Sequence, residues 1–468
     1  MYKRKEMIKT SVIIPMYNTA NYIEECLNSV LQQSQKDIEI IIVDDGSTDN
    51  GLEIVTQYVN YYSNIRVISQ SNQKPGAARN HGLQEAMGEY IYFLDSDDYI
   101  NTITFELCYN KCKAANLDFI LFDSRIINSE GNNQDFDMGR YDRSQLDIDL
   151  NIIYSGKEYW EKFYHKKGIF FSPCLVYIKR SYLLENHIYF LQGVYYEDNL
   201  WTAKLYQYAK RIQYMPKKLY NRRYRSVSIM TSEYSQWHLY SCIVLANETI
   251  YTIHESDEED KTIILINLLL HLLKFMQHII KQIDLIYETR IDDEIIKLYN
   301  CHNIFYYFGE EKIAICILLI RIYQCYKRKV KYIDREESYL VESALNKMDD
   351  ILNKELKSFF GSIPLNKMDK TIGIYGTGKI SKFFLEFYQS HMENIYANIF
   401  FIDTYKESGN DYLGHPLYNI KDVSAKNLDM CVIASIKYEE EMIDEINRIY
   451  DSSINLYLLP YWFHYLLK

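Results

Sequence analysis

Apolar positions along the first hundred residues come in short unbroken runs: SVIIP at 11–15, IIIV at 40–43 and YIYFL at 90–94. The first two runs each lead through polar residues into an amphipathic helical pattern. A run that is apolar at every position predicts a strand buried on both faces, and strands alternating with helices predict a parallel sheet built from βαβ units. Ahead of the third run the spacing predicts a helix over 76–87, ended by Gly88. From about Thr231 the pattern changes to long helical repeats, at 263–276 and on to Tyr287, then at 310–329. From Asp369 strands and turns return, with strands at 371–375, 399–403 and 428–435 and a tight turn into a helix at 376–381. The expected fold class is α/β throughout, in three parts: a large domain at 1–230, a helical connector at 231–365 and a small domain at 366–468.

Acids collect where two of the strands end. The second strand runs into Asp44-Asp45-Gly46-Ser47-Thr48-Asp49, and the third into Asp95-Ser96-Asp97-Asp98. The carboxyl edge of an open α/β sheet is where ligands bind, so two acidic clusters converge on one binding edge. Carboxylates spaced one apart, as Asp95 and Asp97 are, suit a hard divalent cation that keeps its other positions for water and substrate phosphates. Acids at strand ends also serve as helix caps and turn formers, and for Asp49 and Asp98 that use is weighed equally.

Four fragments in register, SVIIPMYNTANYIEECLNSVLQQS, IIIVDDGSTDNG, KPGAARNHGLQEAMGEYIYFLDSDDY and VYYEDNLWTAKLY, resemble family 2 glycosyltransferases of the GT-A fold over about 230 residues. The resemblance implies transfer of a sugar from a nucleoside diphosphate donor, usually UDP-linked, with a bound Mn2+ or Mg2+ ion. It implies that Pro15, Tyr17 and Asn18 form the loop beneath the nucleotide, that Asp45 pairs with the base with Asp44 able to share that role, and that Arg79 lies beside uracil and the phosphates. Asp95, Ser96 and Asp97 match the DXD motif, whose first acid reaches ribose or a metal water and whose second ligates the metal. An ion clamped on both phosphates would neutralise the charge developing on the leaving diphosphate.

An inverting transfer needs a carboxylate that takes the acceptor proton. The family's Glu-Asp motif matches Glu197-Asp198, ahead of a helix expected at 200–209, with Asp198 as the base and Glu197 as its support. The later run LYNRRYRSVS carries over to Tyr220, Arg223 and Ser228 as donor contacts. Arg222 stands where relatives tend to have an aromatic, which leaves open which of Arg222, Arg223 and Arg225 meets phosphate. The acceptor expected by family habit is a glycan or lipid-linked glycan of a bacterial surface polysaccharide such as capsule, O-antigen or a teichoic-type polymer. The alternative is a catalytically inactive scaffold that binds a nucleotide-sugar.

Composition narrows the partners. A net charge of -11 argues against a nucleic-acid partner. Nine scattered cysteines without metal-finger spacing read as free thiols of a reducing compartment, and the basic start passes straight into the first strand, so a cytoplasmic protein without signal peptide is expected. Neither long helical stretch is expected to cross a membrane. Peripheral attachment at the inner face of the cell membrane is a second use, because Arg321, Lys327, Arg328, Lys329 and Lys331 follow the apolar run 313–320. The last domain resembles the small Rossmann-like domains of nucleotide-sugar enzymes. Its Gly376 and Gly378 could hold a phosphate and Asp403 ends its second strand, but Ser381 replaces the third glycine of the dinucleotide fingerprint. A second nucleotide site and a structural or homo-oligomerising module both remain open there.

Overall fold

The computed structural model describes residues 7–127, 141–224, 233–256, 259–283 and 289–300, then chiefly the strands 371–375, 398–403, 411–412, 415–419, 430–433 and 455–458, with isolated positions between them. These fall into two compact units, Met1–Glu294 and Ile295–Lys468.

The first unit opens with β1 (Thr10–Met16), α1 (Ile23–Leu31), β2 (Ile38–Asp44), α2 (Gly51–Tyr61), β3 (Ile65–Ser69), α3 (Lys74–Glu85) and β4 (Tyr90–Phe93). β1 pairs in parallel with β2 on one side and β4 on the other, and β2 continues to β3. Every residue of β2 is buried, as an unbroken apolar run requires. Complete burial of each Val or Ile there contributes about 1.5–3 kcal/mol. Strand order reverses at β1, so the carboxyl ends of β1, β2 and β4 flank a topological switch point.

α3 lies close on β1 because Gly82 has no side chain: a Cβ there would stand 2.4 Å from Ile13 Cγ2. The helix starts two residues before the expected position, with Pro75 in its first turn, and stops two before it. Its continuation is diverted by the buried Glu39 carboxylate, which accepts the Met87 and Gly88 N–H groups at 2.6 and 3.1 Å.

The chain then adds β5 (Tyr99–Ile100), α4 (Thr104–Ala115), β6 (Phe119–Ile127), α5 (Gly156–Phe163), β7 (Val176–Lys179), α6 (Arg180–Glu185), α7 (Glu197–Tyr208) and β8 (Ile212–Arg223). β7 joins β4 and β6 by antiparallel pairing, β8 lies parallel to β6, and β5 closes the eight-stranded sheet. The fully buried Arg143 donates to Asp123 at 3.0 Å and to the Phe122 and Gly168 carbonyls, so its charge is paired and its donors are used.

α8 (Gln236–His254) and α9 (Glu259–Gln282) also belong to this unit, and α10 (Thr289–Asn300) follows. The expectation that no helix is long enough to cross a membrane is corrected by α9. Its segment Ile263–Gln282 runs 20 residues and is apolar enough by composition, because the helix continues through Asn267, His271 and Lys274. Most of that segment is buried inside the protein, 61% of its most apolar stretch. The described cysteines Cys26, Cys108, Cys112, Cys174, Cys242 and Cys431 are buried and unpaired.

The second unit holds a six-stranded sheet of β9 (Thr371–Tyr375), β10 (Asn398–Asp403), β11 (Asp411–Tyr412), β12 (His415–Asn419), β13 (Met430–Ile433) and β14 (Asn455–Leu458). The order is β11-β12-β10-β9-β13-β14, parallel except for β11. Asp403 is the last residue of β10. Gly376, Gly378, Arg225, Ser228 and the basic cluster after 320 lie outside the described residues.

Candidate active site

At the ends of β1 and β2 the polar groups are stitched together by hydrogen bonds. Asn18 adopts a left-handed φ of 51°, and its Oδ1 accepts from the Thr48 N–H at 2.8 Å and the Thr48 hydroxyl at 3.2 Å. Asp49 accepts from the Ala20 and Gly51 N–H groups, at 2.8 and 3.0 Å, which makes it a loop clasp. Asp44 accepts from the Ser47 N–H at 3.1 Å. Asp45 is buried, and its Oδ1 accepts from the Gln73 N–H at 2.9 Å and from Gln70 Nε2 at 2.8 Å. Pro15 is held inside β1 opposite Val43, whereas the Tyr17 ring is exposed.

The end of β4 is built from charges. Arg79, buried on α3, donates from one terminal nitrogen to Asp95 Oδ1 at 2.8 Å and from the other to Glu197 Oε1 at 2.6 Å. Its guanidinium lies 5.3 Å from the Phe190 ring centre, and the Phe190 backbone is gripped on both polar groups by the Asn80 amide. Gly76 permits this approach, since a Cβ there would stand 2.6 Å from the Leu191 carbonyl oxygen and 3.0 Å from Glu197 Cγ. Burial works against the Arg79 charge, but Asp95 and Glu197 hold it firmly protonated. Burial also opposes the charge of Asp95, yet the Arg79 guanidinium keeps its carboxyl below the usual range.

The neighbouring positions divide into supports and open groups. Ser96 is buried and accepts from the Thr19 hydroxyl at 2.9 Å. Asp98 is buried, accepts from the Tyr220 hydroxyl and from the Arg223 N–H, and is pushed well up by burial and by Asp97 and Asp95. Arg223 points beneath the motif, with Nε on the Asp97 carbonyl at 3.1 Å and a terminal nitrogen on Glu25 at 2.5 Å. Arg222 makes its charge felt at Asp98 and, after that of Arg79, at Asp95 and Asp198. It lies 4.6 Å from the Tyr141 ring centre.

Glu197 and Asp198 occupy the first turn of α7, where the helix dipole favours negative charge. Burial pushes both carboxyls up, Glu197 against the pull of Arg79. For Asp198, burial and the adjacent Glu197 carboxylate push the pKa up to about 8. A carboxyl in that state holds its proton at neutral pH and becomes a strong base once it loses it.

Among the described residues no group of three or more His, Cys, Asp or Glu side chains is arranged to hold a metal by itself. The half-buried pair Asp95 and Asp97 does fit an ion bound through one or two carboxylates and completed by phosphate oxygens and water, which is the habit of Mg2+. Sequence reasoning missed Lys74, whose backbone takes a left-handed φ of 75° and whose ammonium lies 5.3 Å from the Tyr195 ring centre. It also missed Gln70 and Gln73 as partners of Asp45, and Glu25 as the partner of Arg223. No local spacing announces contacts made between loops of different strands.

Residues 11–183 match the model of the family described as Glycosyl transferase family 2. Over 225 residues the chain is 32% identical to glycosyltransferase GlyG of Streptococcus pneumoniae, a match that takes in 48% of this chain and 73% of that relative. Over 210 residues it is 35% identical to a poly(ribitol-phosphate) beta-glucosyltransferase of Bacillus spizizenii, covering 44% of this chain but only 30% of that one. Among solved structures, residues 1–349 of Staphylococcus aureus TarS in complex with UDP-GlcNAc align with a TM-score of 0.51 at 25% identity, covering 73% of this chain and 92% of that one.

Proposed function

The chain belongs to glycosyltransferase family 2 and carries its GT-A fold, and from that premise we propose that it is a metal-dependent, inverting transferase that moves a sugar from a UDP-linked donor to an acceptor hydroxyl in bacterial surface polysaccharide synthesis. The observation that carries this reading is the bridge through Arg79, which ties Asp95 on the donor edge to Glu197 beside Asp198. A donor site and a base held by one buried cation have fixed relative positions, as transfer between two bound substrates demands.

In this reading the uracil ring lies against Tyr17 with its N3–H directed to Asp45. The diphosphate lies over Asp95 and Asp97 with Arg222 facing it. Asp97 and Asp95 would hold Mg2+ or Mn2+, which when bound would supply Lewis-acid stabilisation of the leaving diphosphate. The acceptor oxygen attacks the anomeric carbon from the face opposite the diphosphate, and the carbon–oxygen bond to the β-phosphate breaks with its electron pair remaining on UDP. The acceptor proton passes to Asp198. Arg223 is assigned to support of the motif and Arg222 to phosphate, since Arg223 is already held by Asp97 and Glu25.

The test is donor hydrolysis and thermal stabilisation with UDP-, GDP-, CMP- and dTDP-sugars, with and without manganese, in wild type and Asp97→Ala. Hydrolysis of one UDP-sugar that needs both metal and Asp97 is the expected result. Binding of a UDP-sugar with no turnover in any acceptor mixture would favour a scaffold instead.

A further inference from the structure

Next to the acids lies an aromatic face that the donor chemistry does not use. Tyr195 and Tyr196 immediately precede Glu197, Tyr234 and Trp237 stand at the start of α8, and Phe275 comes from α9. All five lie beyond the stretch matched by the family model, which ends at residue 183. The Tyr196 ring packs edge-on to Phe275 at 5.1 Å, Tyr234 meets the same phenylalanine at 5.8 Å, and Tyr195 meets Trp237 at 6.5 Å. All five side chains are half-buried, so each still presents part of its surface.

We propose that Tyr195, Tyr196, Tyr234, Trp237 and Phe275, with Lys74 at their rim, form the acceptor subsite, and that it takes the pyranose ring of a saccharide. This rests on the transferase reading and deepens it by naming the acceptor class. The position is right for an acceptor, because the chain passes from this face directly into the proposed base. Asp198 lies close enough to Tyr196 to be felt at its hydroxyl, which is raised first by burial and then by Cys242, Tyr234 and Asp198.

Two backbone positions point the same way. Tyr196 caps α7 at a φ of 63° and Lys74 enters α3 at a φ of 75°, both left-handed. Such residues cost about 1–3 kcal/mol each and cluster at ligand sites. Here the strained turn sets the Tyr196 ring onto Phe275 while the next residue already begins the helix.

The chemistry of the face selects the occupant. An aromatic ring is negative over its face, and the C–H groups of a sugar, polarised by their oxygens, form a flat and slightly positive surface that matches it. A sugar also needs polar groups around the rings for its hydroxyls. Tyrosine hydroxyls and Lys74 provide them, and Trp237 Nε1 is a buried donor with no acceptor among the described residues. A lipid chain would want an apolar groove without that polar rim. A polyol phosphate has no rigid apolar face to lay against the rings.

The test is saturation-transfer NMR on the full chain with methyl glycosides, ribitol 5-phosphate and a detergent-dispersed polyprenyl phosphate as probes. Saccharide ring protons are expected to receive saturation from the aromatic side chains, and to lose it in Trp237→Ala and Tyr234→Ala. In turnover, the ratio of saccharide transfer to donor hydrolysis is expected to fall about tenfold in Trp237→Ala, as for a truncated central aromatic anchor, and to recover in part in Trp237→Phe, which restores a ring but not the Nε1 donor. Saturation confined to the polyol phosphate or the lipid, or an equal ratio in wild type and both Trp237 variants, would overturn the proposal while leaving the transferase reading intact. Wild-type protein that neither binds UDP nor hydrolyses a UDP-sugar would sink that reading, and the acceptor role with it.

Discussion

The two acidic clusters at the edge of the sheet are built on opposite principles. At the end of β2, Asp44 and Asp45 are buried carboxylates served by neutral donors that the chain supplies within 30 residues. At the end of β4, Asp95 feels Arg79 and Arg222 and Asp98 feels Arg222 beside Asp95 and Asp97, while Glu197 and Asp198, which arrive from about 100 residues further on, are drawn to Arg79. The first cluster is a finished hydrogen-bonded template. The second is electrostatically crowded, and crowding of like charges in a partly desolvated pocket is how a protein moves a carboxyl into the range where it can exchange a proton at working pH.

The sharpest way to break this contrast is at Asp198. Asp198→Asn removes the proposed base and is expected to lower kcat about 1,000-fold, the loss typical of a general base. The same substitution should stabilise the fold. The folded pKa of about 8 lies above the unfolded value, so the native state holds an extra proton between the two. Wild-type stability is therefore fully present below the unfolded pKa, near 4, and is lost as pH rises through about 8. The variant lacks that loss, so its advantage in melting temperature should grow from pH 5 to pH 9. An advantage that does not change with pH would show that Asp198 is not desolvated.

Next in size is Arg79→Gln. It leaves Glu197 buried without its cation, at a cost of about 3 kcal/mol in unfolding free energy, read as a lower denaturation midpoint in urea. Arg79→Lys keeps the charge but cannot reach two carboxylates in fork geometry, and should recover only part of the loss. The matching change in the first cluster, Gln70→Ala, removes one neutral donor from Asp45 and should cost about 1 kcal/mol. Equal costs would erase the distinction between the clusters.

A third measurement follows the proton. The acidic limb of kcat/KM should fall well above the ordinary carboxylate range, because the base works only after losing a proton that burial and Glu197 retain. Glu197→Gln removes the neighbouring negative charge and should move that limb to lower pH. A limb that stays in place would assign the titration to another group.

The same division decides what the sequence could reveal. β1, β2 and β4 were legible because a strand buried on both faces writes its burial into consecutive residues, and the acids beside them were legible because the carboxyl edge follows from the strands. Asp45 and Asp95 can thus be placed on one edge from the order of residues alone. Glu197 and Asp198 required the family motif, since nothing local says that the start of α7 will fold back onto α3. The partners were harder still. Arg79 reaches Glu197 across 118 positions of sequence, and Arg223 reaches Glu25 across 198, so no window along the chain contains either pair. The aromatic face escaped for a related reason, because its rings come from a strained cap and two helices whose apolar patterns otherwise describe their own packing. The helical stretch of α9 was misjudged because Asn267, His271 and Lys274 interrupt its composition and leave its helix intact.

The smallest expected effect is the most selective. In Asp45, Oδ1 already accepts from Gln70 and Gln73, and among the described residues no donor reaches the other oxygen. Asp45→Asn can keep the amide oxygen where Oδ1 stands, so stability should change by no more than about 1 kcal/mol. The free position, however, turns from an acceptor into an N–H donor. In the proposed pose uracil would present N3–H there, and two donors would face one another, whereas cytosine would present an unprotonated N3 that accepts. The ratio of UDP to CDP affinity, measured by calorimetry, should therefore fall by at least about tenfold in the variant, mostly by weakened UDP binding, since a buried polar site rejects a ligand that leaves its groups unpaired. A ratio that stays the same would mean that the base is read elsewhere and that the first cluster, for all its completed hydrogen bonds, only supports the loop.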